Sequence, residues 1–217
     1  MHDFNNLLAV IIGMAGLVKM NLPENTANRE YLTRIEEVGE QASHLAGQLL
    51  TFSKQTPREA HPVDLNAVIL QTMKLAKSIC SASIRLTQKL TDSLPAIHGE
   101  EGKLKQVILN LCLNARDAMK QVGGTLTIRT DLTPPSIVIG ETTRWVHFAI
   151  EDTGHGMDET VRRRIFEPFF STKEHGTGLG LAVVQRIIHD FGGRIDVQSQ
   201  IGVGTRFDIW LAQADGR

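Results

Sequence analysis

The chain has 217 residues, of which 41% are hydrophobic and 22% charged, a composition that is typical of a globular protein with a buried core. This excludes a disordered or fibrous chain. Its 23 basic and 24 acidic residues give a formal net charge of −1. Because no overall positive field exists, we expect no nucleic-acid partner and no binding to acidic membranes, and any anion site must be local.

The sequence predicts neither a membrane segment nor a signal peptide. The longest apolar run begins at Leu7 and is interrupted by glycines, well short of the roughly 20 residues that a membrane span requires. The chain opens with His2 and Asp3, where a signal peptide would carry basic residues. Cys80 and Cys112 lie among apolar residues, so we expect reduced core cysteines and a cytoplasmic location, with membrane anchoring left open for a longer protein.

Two apolar seams at helical spacing open the chain. One joins Phe4, Leu8, Ile11, Ala15, Val18 and Leu22, and the other joins Ile35, Val38, Ala42, Leu45, Leu49 and Phe52. With Pro23 in the break between them, they predict an antiparallel helical hairpin whose second helix covers about 28–55. Two helices cannot bury both seams, so we predict a homodimer that completes a four-helix bundle.

A polar stretch over 54–62, with two prolines, predicts a linker to a second domain. We therefore assign residues 1–56 to the hairpin and 57–217 to the second domain. There, helices are predicted over 65–79, over 101–120 and from about Thr177 to the glycine pair at 192–193. Alternating apolar residues predict strands around 84–86, 126–128, 146–150, 195–197 and 207–211. The whole is an α+β fold, with helices on one face of hairpin-joined strands.

Three segments of the second domain carry candidate chemistry. Asp152 ends a strand and is followed by Gly154 and Gly156, so its carboxylate can accept a hydrogen bond from an exocyclic amine while a flat ring approaches the backbone. An ordinary Asp-Gly turn explains the same residues. The glycine-rich segment 176–181 runs into a helix, which suits a phosphate cradle or a plain helix start.

The third segment is the helix that carries Asn110 and Asn114, four residues apart on one face. An amide oxygen is a hard, neutral ligand that suits Mg²⁺ when phosphate oxygens complete its shell. Paired core amides are the alternative, because unpaired amides among so many apolar neighbours would be costly.

In this order and spacing, the three segments resemble the nucleotide-binding boxes of the GHKL ATPase superfamily, which includes sensor histidine kinases, gyrase, Hsp90 and MutL. The kinase branch is the most similar. The segment 165–173, Ile-Phe-Glu-Pro-Phe-Phe-Ser-Thr-Lys, is similar to the phenylalanine-rich box before the ATP lid of histidine kinases. Residues 2–8, His-Asp-Phe-Asn-Asn-Leu-Leu, resemble the phosphoacceptor box. The second domain is thereby identified as an α/β sandwich of the GHKL ATPase type.

The resemblance implies a role for each matching residue of that domain. Asp152 would bind the adenine amino group, with Gly154 and Gly156 beside the base. Asn114 would ligate Mg²⁺, and Asn110 would line the same site. The residues implied to border the phosphates are Gly176, Thr177, Gly178, Leu179 and Gly180. Lys173 is a candidate phosphate contact, although a solvated lysine is the alternative.

His2 is the implied phosphoacceptor. It lies off the apolar seam, so its ring should face solvent. Asp3 could hold or deprotonate one ring nitrogen and leave the other as the nucleophile. Asn6 lies one turn further on, and its spacing from Asp3 matches the pattern that the family associates with dephosphorylation of the partner, although a solvated helix surface explains it as well.

The implied function is that of a sensor histidine kinase core that transfers the γ-phosphoryl of Mg-ATP to His2 and then to an aspartate of a response-regulator receiver domain. A dimeric ATP-binding scaffold with little transfer activity is the alternative. A gyrase-type clamp is disfavoured, because no transducer segment follows Leu211. The sequence departs from the family at Asp117, where several relatives carry a basic residue near the phosphates, and at the short stretch before His2.

Overall fold

The computed structural model describes residues 2–23, 28–35, 61–133, 144–173 and 176–214. The chain divides into two compact units, residues 1–56 and residues 57–217. No helix in the described ranges combines the length and the apolar character that a membrane crossing requires.

The first unit begins with α1 (His2–Met20), as predicted from the first apolar seam. Residues 28–35 are helical again and form the described part of α2, while the rest of the predicted second helix lies outside the described residues. Arg29 Nη1 donates to the carbonyl oxygens of Lys19 and Leu22 at 3.2 and 2.9 Å. The guanidinium thereby adds a side-chain donor at the C-terminal end of α1, where the Lys19 carbonyl also accepts from the Leu22 N–H at 3.3 Å.

Most of the apolar side chains that the structure describes in α1, which lie between residues 10 and 20, are exposed. Ala15 is buried, whereas the exposed fractions of Ile11 and Val18, which belong to the predicted seam, are 49% and 52%. Val10, Met14 and Leu17 are exposed to a similar or greater degree. A continuous apolar helix surface of this kind is typical of a helix that packs against another chain.

The second unit is built on a five-stranded mixed sheet. Its strands are β2 (Ile84–Lys89), β4 (Gly124–Thr133), β5 (Trp145–Asp152), β6 (Arg194–Gln200) and β7 (Gly204–Ala212), in the spatial order β2-β4-β5-β7-β6. The pair β2 and β4 is parallel, and the other three pairs are antiparallel. A separate small sheet pairs β1 (His61–Val63) with β3 (Ile97–Gly99). The helices are α3 (Leu65–Ile79), α4 (Glu101–Ala118), α5 (Glu159–Arg164) and α6 (Gly180–Asp190).

One hydrophobic core lies between this sheet and the helices. Alternate residues of the central strands, such as Ile128, Phe148 and Ile209, are fully buried against α3, α4 and α6. Alternation places the residues between them on the opposite face, where His147 and Asp208 pair at 2.8 Å. The predicted α+β architecture, with helices on one face of the sheet, is thus confirmed.

Two predicted boundaries are wrong. The predicted linker over 54–62 ends too late, because His61 and Pro62 belong to β1 and pair with Gly99 and His98. Proline is tolerated there because both strands of a two-stranded sheet are edge strands, and β1 has only three residues. The last predicted helix begins at Gly180 rather than Thr177, since Gly178 has a φ of +66° that an α-helix cannot accommodate. The predicted end of this helix at the glycine pair 192–193 is confirmed, because the Gly193 N–H donates to the carbonyl of Ile188 at 2.9 Å and closes the last turn.

The cysteines provide a test of this packing. Both are free; Cys112 is buried inside α4, whereas Cys80 is partly exposed. Burial raises the pKa of the Cys112 thiol to about 12. We expect Cys112 to resist iodoacetamide at pH 8 in the folded protein and to react as readily as Cys80 in urea, because the thiolate is the nucleophile. Mass spectrometry of the alkylated peptides measures both rates, and equal labelling in the folded protein would contradict the packing of α4.

Candidate functional site

Asp152 is a buried carboxylate at the end of β5, with an exposed fraction of 7%. It is held on both sides, because its backbone pairs with Leu126 of β4 and with Thr205 of β7. Its Oδ1 accepts a hydrogen bond of 2.8 Å from the backbone N–H of Gly154. Burial raises the pKa of Asp152 above its ordinary value, although hydrogen bonds from the Gly154 and Thr205 backbones oppose this. The result is a fixed, partly desolvated acceptor.

The loop after Asp152 rests on the last turn of α4. His155 N–H donates to the carbonyl of Ala118 at 3.2 Å. A Cβ at Gly154 would stand 2.7 Å from the Ala118 Cβ. Gly156 has a φ of +66°, and a Cβ there would stand 1.9 Å from the carbonyl oxygen of Gln200. Both glycines are therefore required by the packing of the protein itself, and their predicted place beside an adenine ring stays a prediction.

Asn110 connects α4 to the beginning of α6. It is buried, and its Nδ2 donates to the carbonyl of Gly180 at 3.4 Å, the long end of the hydrogen-bond range. A Cβ on Gly180 would lie 4.0 Å from the Asn110 Cγ. This contact agrees with the paired-amide alternative for Asn110 and also fixes where α6 begins.

The first turn of α6 offers backbone N–H groups without a side-chain cap. Leu179 is the cap residue, and it supplies no side-chain hydrogen bond to the helix. Its own N–H donates to Thr177 Oγ1 at 3.3 Å. The Leu179 side chain is buried, so any contact that Leu179 makes with a ligand would come from its backbone. An uncapped helix start of this length favours an anion by its dipole and its N–H groups.

Backbone contacts join the phenylalanine-rich box to the glycine-rich segment before α6. Phe169 N–H donates to the carbonyl of Gly178 at 3.0 Å. Gly178 allows this approach, because a Cβ there would stand 2.3 Å from the Phe169 carbonyl carbon. Within the box, Ser171 Oγ accepts from the Lys173 backbone N–H at 3.1 Å. These contacts place Lys173 over α4.

A cluster of charged and amide side chains lies where the Lys173 side chain meets α4. Lys173 Nζ donates to Asn114 Oδ1 at 2.9 Å and to Asp117 Oδ2 at 2.7 Å. The other oxygen of Asp117 accepts from Arg116 Nη2 at 2.7 Å. Burial alone would raise the pKa of Asp117, but the hydrogen bonds from Lys173 and Arg116 outweigh it and hold the pKa below its ordinary value. We call Asn114, Asp117 and Lys173 the cation cluster.

The cation cluster shows that the chain's own residues suit a metal ion at Asn114. Asn114 Oδ1 already binds a cation, the Lys173 ammonium, and points away from its own helix. Amide and carboxylate oxygens are the donors that Mg²⁺ prefers. The residues present therefore fit the ion that the family resemblance implies.

The predicted site residues of the second unit are thus connected by hydrogen bonds. Asn110 donates to the Gly180 carbonyl, Asn114 accepts from Lys173, and the loop after Asp152 donates to the last turn of α4. His2, Asp3 and Asn6 lie in α1, in the other unit, and the structure describes their helical backbone but not their side chains. The sequence motifs do not predict the pairing of Asp117 with Lys173. The three-residue spacing from Asn114 to Asp117 does signal that they share a helix face.

Comparison with known proteins agrees with this geometry. Residues 99–215 match the family described as histidine kinase-, DNA gyrase B-, and HSP90-like ATPase, and residues 1–58 match the His Kinase A (phospho-acceptor) domain. The chain is 36% identical over 218 residues to sensor kinase CckA of Brucella abortus, covering 97% of this chain and 23% of that protein. It is 33% identical over 211 residues to sensor histidine kinase ZraS of Escherichia coli K12, covering 97% of this chain and 43% of that protein.

The full-length ShkA crystal structure in complex with AMPPNP has a similar fold, with a TM-score of 0.77, 28% identity and coverage of 99% of this chain and 45% of that one. The chain belongs to the family of histidine kinase-, DNA gyrase B- and HSP90-like ATPases. Its two domains are those of a histidine kinase catalytic core, as the sequence predicted. It spans less than half the length of the two curated relatives.

The buried carboxylate generates a stability prediction. Because the pKa of Asp152 is raised in the fold, its ionised form is disfavoured there, so this group contributes less stability as the pH rises above the unfolded pKa and through the folded one. Asp152→Asn removes that cost and keeps an oxygen for the Gly154 N–H. We expect this variant to be at least as stable as the original chain at pH 7, with the advantage shrinking towards pH 4.

Urea unfolding between pH 4 and pH 7 measures this difference. Asp196→Asn is the matched control, because Asp196 is half-exposed and pairs with Arg194 at the surface. A loss of stability in Asp152→Asn at pH 7 would show that the ionised carboxylate stabilises the fold.

Proposed function

We propose that this chain is a histidine kinase core that phosphorylates His2 with the γ-phosphoryl group of Mg-ATP. The observation that carries the proposal is the convergence of Asn114, Lys173 and the uncapped start of α6 in one unit, in a chain whose other unit matches the phospho-acceptor domain. Both halves of a phosphotransfer reaction, donor site and acceptor, are thereby supported by separate features.

Asp152 is proposed to select the base. The buried carboxylate accepts hydrogen bonds from the Gly154 and Thr205 backbones, and a carboxylate has further lone pairs with which to accept the amino group of adenine. Desolvation strengthens such a hydrogen bond, and a group that cannot donate there would leave the carboxylate unpaired. The rigid backbone of Gly154 and Gly156 is proposed to flank the ring.

The segment from Gly176 to Gly180 is proposed to hold the phosphates. Backbone N–H groups at the start of α6 donate to phosphate oxygens, and the helix dipole adds to their effect. Thr177 and Leu179 contribute through backbone groups beside Gly178. Lys173 supplies a full positive charge at the same end of the site, and its exposed ammonium can reach a ligand without unfolding the segment.

Asn114 is proposed to hold Mg²⁺ through Oδ1, and the ion would neutralise phosphate charge when bound. In the transfer itself, one nitrogen of His2 attacks the γ-phosphorus, an N–P bond forms, and the bond to the ADP oxygen breaks with its electron pair. Asp3 accepts the proton from the other ring nitrogen. Positioning and charge neutralisation supply most of the rate enhancement, as in other phosphoryl transfers.

The phosphoryl group is proposed to pass from His2 to an aspartate of a response-regulator receiver domain. Asn6 with Asp3 is proposed to orient a water that hydrolyses the resulting aspartyl phosphate and so dephosphorylates the receiver domain. The acting species is proposed to be a homodimer formed through the hairpin, consistent with the uncovered apolar face of α1. We place the reaction in the cytoplasm, where ATP and receiver domains are available.

Transfer to His2 is tested with ATP labelled on the γ-phosphate. We expect an alkali-stable, acid-labile protein adduct that His2→Gln abolishes without changing nucleotide affinity. Asp152→Asn should weaken nucleotide binding by about 1–3 kcal/mol, roughly 5- to 150-fold, because a charged hydrogen bond is lost. Calorimetry measures the affinity, and Asp196→Asn is the control. Nucleotide binding without any adduct would instead support the scaffold alternative, and label in His2→Gln would refute the acceptor assignment.

The dimer is tested on the seam of α1. Val18→Glu places a charge on the exposed apolar face and should raise the dimer dissociation constant by about tenfold or more, since burying an unpaired carboxylate is costly. Val122→Glu is the matched control, because Val122 is 78% exposed in the other unit. Analytical ultracentrifugation measures both. Equal dissociation in the two variants would contradict a dimer interface on α1.

A further inference from the structure

The cation cluster contains an unusual competition. Asn114 Oδ1, the oxygen that the proposed function assigns to Mg²⁺, is already bound by the Lys173 ammonium at 2.9 Å. Two cations cannot share one oxygen at contact distance without strong repulsion. Binding of a metal ion at Asn114 therefore requires Lys173 to leave that oxygen.

Asp117 determines where Lys173 rests. Arg116 binds Asp117 Oδ1 with both Nε and Nη2, at 3.0 and 2.7 Å, which fixes the plane of the carboxylate. The remaining oxygen, Oδ2, faces Lys173 Nζ at 2.7 Å. The side chains of Asp117 and Lys173 are 29% and 42% exposed, so this pair is only partly screened by solvent. Lys173 is thus anchored to Asp117 and can release Asn114 while keeping its anchor.

The charges explain why an acidic residue is useful here. Asp117 lies three residues after Asn114 on the same helix face and would, if unpaired, repel the phosphates of a nucleotide. Lys173 cancels that charge, and Arg116 adds a second cation. With Lys173 on Asn114, two cations outweigh the one carboxylate before nucleotide arrives, so the site already favours an anion. When the phosphates bring negative charge, the lysine and a metal ion can both be accommodated.

We propose that Lys173 is a built-in counter-cation that occupies the metal position on Asn114 until nucleotide binds, and that Asp117 is the positioning residue that holds it there and sets how strongly nucleotide binding depends on Mg²⁺. This inference rests on the proposed nucleotide site. On nucleotide binding, the Lys173 ammonium would move from the Asn114 oxygen to the phosphates while keeping its contact with Asp117, which would leave Asn114 Oδ1 free to hold a metal ion.

The measurable quantity is the magnesium enhancement ratio, which we define as the dissociation constant of AMPPNP in EDTA divided by that in millimolar Mg²⁺. Asp117→Asn frees Lys173 for the phosphates and removes a repelling charge, so affinity in EDTA should rise and the ratio should fall by about fivefold. Lys173→Met removes a cation that would contact the phosphates, leaves Asp117 neutralised by Arg116 alone and opens Asn114 to the ion, so affinity in EDTA should fall and the ratio should rise by a similar factor. Lys173→Arg keeps the charge and should stay near the original ratio.

Isothermal titration of the full chain measures these ratios. Lys105→Met and Asp196→Asn are matched controls, because each removes one partner of an ion pair away from the cation cluster. Thermal unfolding checks that each variant is folded. A lower ratio in Asp117→Asn together with a higher ratio in Lys173→Met supports the inference; any other combination of the two ratios overturns it. If the original chain binds no AMPPNP under either condition, the proposed function itself fails.

Discussion

Helix α4 is the constraint on which the second unit depends, because one helix serves the core and the site at once. Its apolar positions, among them Val107, Ile108 and Leu111, are buried against the sheet. Its other polar contacts lie along the same helix: Asn110 contacts the beginning of α6, and Asn114 and Asp117 bind Lys173. Its last turn contacts the loop after β5. The 3.6-residue repeat alone puts these groups in line. Displacing the helix in the core would displace every one of them.

This arrangement explains why the loops around the site are so rich in glycine. The loop after β5 and the segment before α6 each approach a neighbouring backbone more closely than a Cβ would allow, at Gly156 and Gly178. Such approaches are short, directional and independent of side-chain rotamers, so the loops keep their shape without a hydrophobic core of their own. A ligand would meet backbone groups that are already ordered, which lowers the entropic cost of binding.

Much of the fold could be predicted from the sequence, because long periodic segments dominate it. The apolar repeat over α4 and the alternation in β5 and β7 gave the right elements, since burial on one face requires those patterns. The short strands β1 and β3, at three residues each, carry too little pattern to be recognised. The predicted start of α6 near Thr177 is too early because Gly178, with its positive φ, interrupts the helical backbone, and a sequence pattern does not report this angle.

The candidate site was predictable in its parts rather than in its connections. Glycine spacing and paired asparagines identify the boxes, and the family match follows from their order. The contact between Lys173 and Asp117 joins positions 56 residues apart, and no local rule relates them. It depends on how the end of the phenylalanine-rich box, which carries Lys173, packs against α4, and this tertiary contact is not encoded in a local pattern. The roles of His2, Asp3 and Asn6 stay predictions, because only the helical backbone of those residues is described.

The same contact has a consequence for how related sequences diverge. An aspartate and a lysine that neutralise each other cannot be exchanged independently, because a basic side chain in place of Asp117 would replace the carboxylate 2.7 Å from the Lys173 ammonium with a second cation that repels it. Lineages with a basic residue on the helix are therefore expected to have lost the lysine in the following segment, whereas those with an acid retain it. Covariation between the two columns of an alignment is the evolutionary record that a direct side-chain pair should leave.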